Sequence, residues 1–218
     1  NKIMALNKLK FNSLNVTPVA NQAVRFNSSA NGLETASAGG SLVKISSSTI
    51  SSGTSTVSIT SGIDSTYKEY FFTFNNLHLS NDNAQPAINF SVDGGSNYNV
   101  AKTSSNFSAS HNEGGSATLL GYNGSWDLAQ GTGVQYLTTG TGSDNDQSAS
   151  GYLRLFDPSN TTFIKQFIAG MSSSNSGNYA FNIFIGGYAN TTSAINAVQF
   201  SVSAGTLDAG TITMYGIK

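Results

Sequence analysis

The chain has 218 residues, no cysteine, 10% charged residues and a net charge of −1. These figures exclude a disulfide framework, a thiolate metal site and a cysteine nucleophile, and they leave no basic field for a nucleic-acid backbone. Aromatic residues reach 11%, and disordered chains are poor in them, so the low charge signals a neutral, hydrogen-bonding surface on a folded protein.

Met4 to Val16 carries Leu6, Leu9, Phe11, Leu14 and Val16 at spacings that fit neither a helix nor a strand. An extended arm with apolar anchors and a short helix are both open readings, and Pro18 ends any helix. No long apolar run follows Lys2, Lys8 and Lys10, so neither a signal peptide nor a membrane helix is expected. Ala23 to Phe26 reads as a strand, Asn27 to Gly32 as a turn containing Asn-Gly, and Leu33 to Thr35 as the return strand. A hairpin this small needs a partner surface to be stable. Ser37 to Gly53 is rich in Ser, Gly and Thr and reads as a connection, although Leu42, Val43, Ile45 and Ile50 allow a strand within it.

From Ser55 the strand pattern strengthens. Val57 and Ile59 alternate with Ser and Thr. Tyr70, Phe72 and Phe74 share one face of Tyr67 to Leu79. In Ala87 to Val92, the pattern sends Ile88, Phe90 and Val92 inward and Asn89 and Ser91 outward. Asp93-Gly94-Gly95-Ser96 is a tight turn. Phe107 to Ser150 is the least regular region, with short strands expected near Ala117 to Tyr122 and Val134 to Leu137. Gly151 to Phe156, Phe163 to Ala169 and Asn178 to Tyr188 read as strands. Asn196 to Lys218 reads as a closing hairpin, with Val198, Phe200, Val202, Ile212 and Met214 inward and Tyr215 and Ile217 on the other side.

Roughly ten short strands and no long helix predict an all-β protein: an antiparallel, jelly-roll-like β-sandwich head preceded by an N-terminal extended arm and small hairpin. The expected organisation is residues 1–40 as arm and hairpin, 41–54 as connector and 55–218 as head. Strands that are apolar on both faces, such as Phe71 opposite Phe72 and Ile183 opposite Phe184, call for cover on the second face, which a subunit interface can supply.

Three stretches carry a family resemblance: NFSVDGGSNY (Asn89 to Tyr98), GYLRLFDP (Gly151 to Pro158) and INAVQFSVSAGTLDAGTITMYGIK (Ile195 to Lys218). They resemble the C-terminal β-sandwich heads of bacteriophage virion proteins, among them fibres, head-decoration proteins and tail-fibre-like proteins. AVRFNSSANGLET (Ala23 to Thr35) is similar to hairpin units near the virion-proximal ends of phage fibres. The resemblance implies a non-enzymatic protein of the particle surface, commonly a homotrimer, anchored to other virion proteins by its N-terminal arm. Leu6, Leu9, Phe11 and Leu14 are then the anchor residues. The chain has no long shaft, heptad array or repeat array, which favours a short fibre, head fibre or decoration protein over a tail fibre. A carbohydrate-binding or glycan-degrading module is the alternative from another class.

No catalytic signature accompanies this pattern, and no cofactor is expected. There is no G-x-S-x-G elbow and no phosphate-binding Gly-Lys-Ser/Thr. His78 reads as a solvent-facing strand residue opposite Leu77 and Leu79. His111, beside Glu113, reads as part of a polar loop, with an acid–base or metal pair as the alternative. Glycosidase chemistry needs two acids across a cleft; Asp82, Asp93, Glu113, Asp127, Asp144, Asp146 and Asp157 are the available carboxylates. Asp93 and Asp157 sit in turns that account for them, and Asp144-Asn145-Asp146 lacks the remaining ligands of a calcium loop. Tyr122 and Trp126, in GYNGSWD, could stack on a host-surface sugar; the plainer reading has Trp126 capping the core or lying in a subunit interface.

Overall fold

A computed structural model describes residues 16, 17, 19, 22–37 and 41–218. The anchor candidates Leu6, Leu9, Phe11 and Leu14 lie outside these residues. The chain divides into two compact units, Asn1–Leu42 and Val43–Lys218.

The first unit contains the expected hairpin, β1 (Gln22–Phe26) and β2 (Leu33–Ser37), paired antiparallel. Its turn is closed by Asn27, whose backbone amide donates to the Gly32 carbonyl and whose Oδ1 accepts from the Asn31 amide. Arg25 and Glu34 pair across the strands at 3.1 Å. Phe26 is largely exposed.

The second unit is an antiparallel β-sandwich of unequal sheets, with no helix among the described residues. The large sheet has eight strands. In spatial order they are β3 (Leu42–Thr49), β14 (Leu207–Ile217), β5 (Glu69–Leu79), β10 (Ala149–Phe156), β11 (Lys165–Ser174), β12 (Tyr179–Ala189), β7 (Lys102–Asn112) and β8 (Thr118–Tyr122). The small sheet has four: β4 (Thr56–Ile59), β13 (Ala197–Val202), β6 (Pro86–Ser91) and β9 (Gln135–Tyr136). Alternating apolar residues on the facing sides bury one another, as period-two patterning requires. Tyr70, Phe72 and Phe74 of β5, Leu153 and Leu155 of β10, and Ile212 and Met214 of β14 form one side of the core. Phe200 of β13 and Ile88 and Phe90 of β6 form the other. Phe200 meets Phe72 and Phe74 edge-on, with centroids 5.7 and 5.3 Å apart, and Phe90 meets Phe167 of β11 at 5.5 Å.

Four expectations are corrected. The closing segment is not a hairpin: β13 pairs with β4 and β6 in the small sheet, whereas β14 pairs with β3 and β5 in the large one. The turn between them crosses the sandwich. The inward faces of Val198, Phe200, Ile212 and Met214 are as expected. Next, the stretch read as a connector supplies β3, the edge strand beside β14, and Ser47 and Thr213 share a hydroxyl hydrogen bond of 3.0 Å. In β6 both faces are buried, so Asn89 and Ser91 lie inside, while Val92 is 37% exposed because the strand has already ended. Finally, the irregular region opens with β7, an eleven-residue strand. Its inward residues are Lys102, Asn106 and Ser108, all buried, and its outward Phe107 is 46% exposed. That inversion hides it from a rule that looks for apolar residues on the buried side.

Phe200 holds the two sheets together, so Phe200→Ala should lower unfolding free energy by about 3–5 kcal/mol. Chemical denaturation measures this; a loss below about 1 kcal/mol would show that the sheets do not depend on this contact.

Candidate functional site

The inner side of β7 is polar because a loop, not a sheet face, covers much of it. Polar side-chain and backbone groups of the loop buried there need hydrogen-bond partners, which apolar side chains cannot supply. Asn123 Nδ2 donates to Asn106 Oδ1 and to Ser108 Oγ, each at 3.0 Å. Ser104 Oγ accepts from the Leu128 amide and donates to Gln135 Oε1. Gln135 Nε2 in turn donates to the Trp126 carbonyl at 2.9 Å. Lys102 completes this layer. Its Nζ donates to Asn89 Oδ1 at 2.5 Å and to the Val100 carbonyl at 2.8 Å, and lies 5.9 Å from the centroid of Phe90. Asn89 is held by its own Nδ2, which donates to the Tyr98 and Thr132 carbonyls. The side chain of Lys102 thus ties β7 of the large sheet to β6 of the small one. Burial with no carboxylate partner pushes its amine down to about 8.

The sequence candidates separate on this framework. Tyr122, at the end of β8, is exposed, and its hydroxyl donates to Asp127 Oδ2. That bond raises the tyrosine's pKa. Trp126 is half-buried in the loop over β7, and no ring pair joins it to Tyr122. The turn carboxylates are engaged locally. Asp93 accepts from Ser91 Oγ and from the backbone and side chain of Asn97, which brings it down to about 2. Asp157 accepts from Asn160 and Lys68, and Asp82 accepts from the backbone and hydroxyl of Ser143. His78 is half-buried, with Nε2 3.2 Å from the Asp144 carbonyl.

Three other candidates are brought together. His111, Glu113 and Asp146 line one cleft of about 180 Å³, along with Gln147, Asn178 and Tyr179. A wider cleft of about 620 Å³ adjoins it, lined by Asn76, His78, Asp208 and the same Asp146 and Gln147. Both histidines of the chain therefore face clefts that share one wall. The walls are fixed by backbone bonds: the Glu113 amide donates to the Asn178 carbonyl and the Gly142 amide to the Ser174 carbonyl, each at 3.0 Å. Asn175 Oδ1 accepts from the amides of Gly177 and Tyr179, shaping the β11–β12 turn. Among the described residues, no three His, Asp or Glu side chains converge as a metal-binding set. Gln147 and Tyr179 carry no signal in the sequence; only the pairing of β11 with β12, and the folding of the Thr138–Ser148 loop onto them, bring both to the cleft.

No protein-family model matches the chain, and neither does any curated protein or solved structure.

The charge of Lys102 gives a pH signature. Between its folded value of about 8 and its ordinary 10.5, the unfolded chain binds more protons than the folded one, so stability rises with pH in this window. The wild type should gain on the order of 3 kcal/mol over Lys102→Met between pH 8 and pH 10.5. Denaturant titrations of both proteins across that range check it; a constant difference would contradict a buried, unpaired ammonium.

Proposed function

We propose that the chain is a non-enzymatic structural protein of a bacteriophage particle surface, a short fibre or decoration protein. Its N-terminal arm attaches to other virion proteins, and its sandwich head self-associates as a homotrimer. The stretches that resemble virion heads support this reading, and they are structural: Asn89 to Tyr98 covers part of β6 and its turn, Gly151 to Pro158 most of β10, and Ile195 to Lys218 both β13 and β14.

The observation that carries the assembly reading is the outer face of the large sheet. Strand register lines up Tyr152, Gly170, Phe184, Phe107 and Tyr122 across β10, β11, β12, β7 and β8. Tyr215, Phe71, Arg154 and Ile168 form the row beside it. Phe107 and Phe184 stack at 5.4 Å, and Phe71 pairs with both Tyr152 and Tyr215. Contiguous exposed apolar surface on this scale marks an interaction site. The occupant that fits is a second copy. Arg154 is paired with Glu69 on the same face, so these rows offer no unbalanced charge to select a charged partner.

The purified protein should sediment as a trimer, and Phe107→Ser with Ile168→Ser should yield a folded monomer. In purified particles the copy number should be a multiple of three. A monomeric wild type would remove the assembly reading. Steady release of reducing ends from a polysaccharide, lost in Glu113→Gln, would overturn the non-enzymatic one.

A further inference from the structure

The cleft between the β7–β8 and β11–β12 turns opens onto a trough in the outer face of the large sheet. Register places Ser150, Ser172, Asn182 and Ala109 in one row across β10, β11, β12 and β7. Ser174, Ala180 and His111 form the next row, toward the turns. Apart from Asn182 and His111, these are Ser and Ala side chains, whereas the adjoining row carries Tyr152, Phe184 and Phe107. The short rows therefore form a depression bounded by rings on one side and by turns on the other. Two hollows of about 260 and 300 Å³ lie along it. Four strands at about 4.8 Å spacing give the trough a length of about 14 Å.

We propose that this cleft and trough bind a neutral oligosaccharide. Among the described residues, the cleft lining holds two carboxylates, Glu113 and Asp146, and no Lys or Arg, so it repels anionic sugars and phosphates. Its remaining groups suit hydroxyls. Glu113, Asp146 and His111 have side chains free of hydrogen bonds to other described residues, and each can engage a hydroxyl pair or a single hydroxyl. Tyr179 is half-buried and packs beside Phe181 at 6.1 Å, offering a ring edge and face to the apolar side of a sugar.

Gln147 is the independent pointer. It is only 5% exposed, yet it lines both clefts. Its Oε1 has a single long contact, 3.5 Å from the Asp144 amide, and its Nε2 has no partner among the described residues. This donor opens into the clefts that Gln147 lines, so a ligand acceptor can take the place of water on it. The chain makes room for Gln147: a Cβ on Gly142 would lie 1.5 Å from Gln147 Oε1. The hydrogen-bonded walls hold these groups in place before a ligand arrives, which lowers the ordering cost of binding.

This inference concerns binding by the isolated protein and does not depend on the particle reading, whose failure would appear in copy number and sedimentation. The experiment is titration of the full chain with neutral hexose and N-acetylhexosamine oligosaccharides of three to five units, alongside uronic-acid and sialylated counterparts. At least one neutral oligosaccharide should bind. Glu113→Ala with Asp146→Ala should weaken it by about tenfold or more, and Ser172→Lys, which fills the trough, should do the same. Both sites are exposed, so folding should survive, which an unchanged thermal transition verifies. Lys44→Ala, on the edge strand β3, should bind as the wild type does. The proposal is overturned if no neutral oligosaccharide binds at millimolar concentration, if only anionic ones bind, or if binding survives both cleft and trough variants.

Discussion

Phe200 packs edge-on against Phe72 and Phe74, and this contact between the two sheets constrains everything else in the head. It fixes which faces of β5 and β13 turn inward. Because β13 lies in the small sheet and β14 in the large one, the last segment of the chain must cross the sandwich. Thr54 and Leu207 exchange backbone hydrogen bonds at that crossing, which brings the start of the second unit against its end. The small sheet has only four strands against eight, so it cannot cover the whole inner side of its partner. A loop takes over at β7, and with the loop comes a polar interior.

That substitution has two consequences on opposite faces of one strand. Inside, Ser104 accepts from the Leu128 amide of the covering loop, Asn106 and Ser108 accept from the side chain of Asn123, and Lys102 bonds Asn89 of β6 and the Val100 carbonyl. Outside, the alternation of β7 then places Phe107 in solvent, stacked on Phe184. An apolar outer row and a trough of short side chains lie side by side on that face. The row proposed for assembly and the trough proposed for ligand binding are thus neighbouring rows of the same sheet.

Much of this was legible from period-two patterning. Tyr70, Phe72 and Phe74 turn inward as read, and Leu77 and Leu79 follow them after a bulge at Asn76, whose φ of 49° shifts the register. What period-two patterning could not show is which strands pair. The spacing of Val198 to Val202 and Thr211 to Ile217 suits a hairpin as well as a crossing, because the buried face looks the same in both. β7 is not legible in the sequence because its buried face is polar, a pattern that local sequence cannot separate from a loop. Of the candidate site, His111, Glu113 and Asp146 are legible as residue types, but Asp146 is far from the other two in sequence, and only strand pairing together with the folding of the Thr138–Ser148 loop joins them. Gln147 and Tyr179 have no local signature at all.

β7 turns its polar side inward and its aromatic side outward, and side-chain amine labelling tests that orientation directly. The native protein would be treated briefly with an amine-acylating reagent and each lysine quantified by mass spectrometry. Lys44, exposed on the edge strand, should react readily, while Lys102, fully buried, should remain unmodified until the protein is unfolded. Native-state labelling of Lys102 at the rate of Lys44 would contradict the orientation of β7, and with it both the polar layer inside and the aromatic row outside.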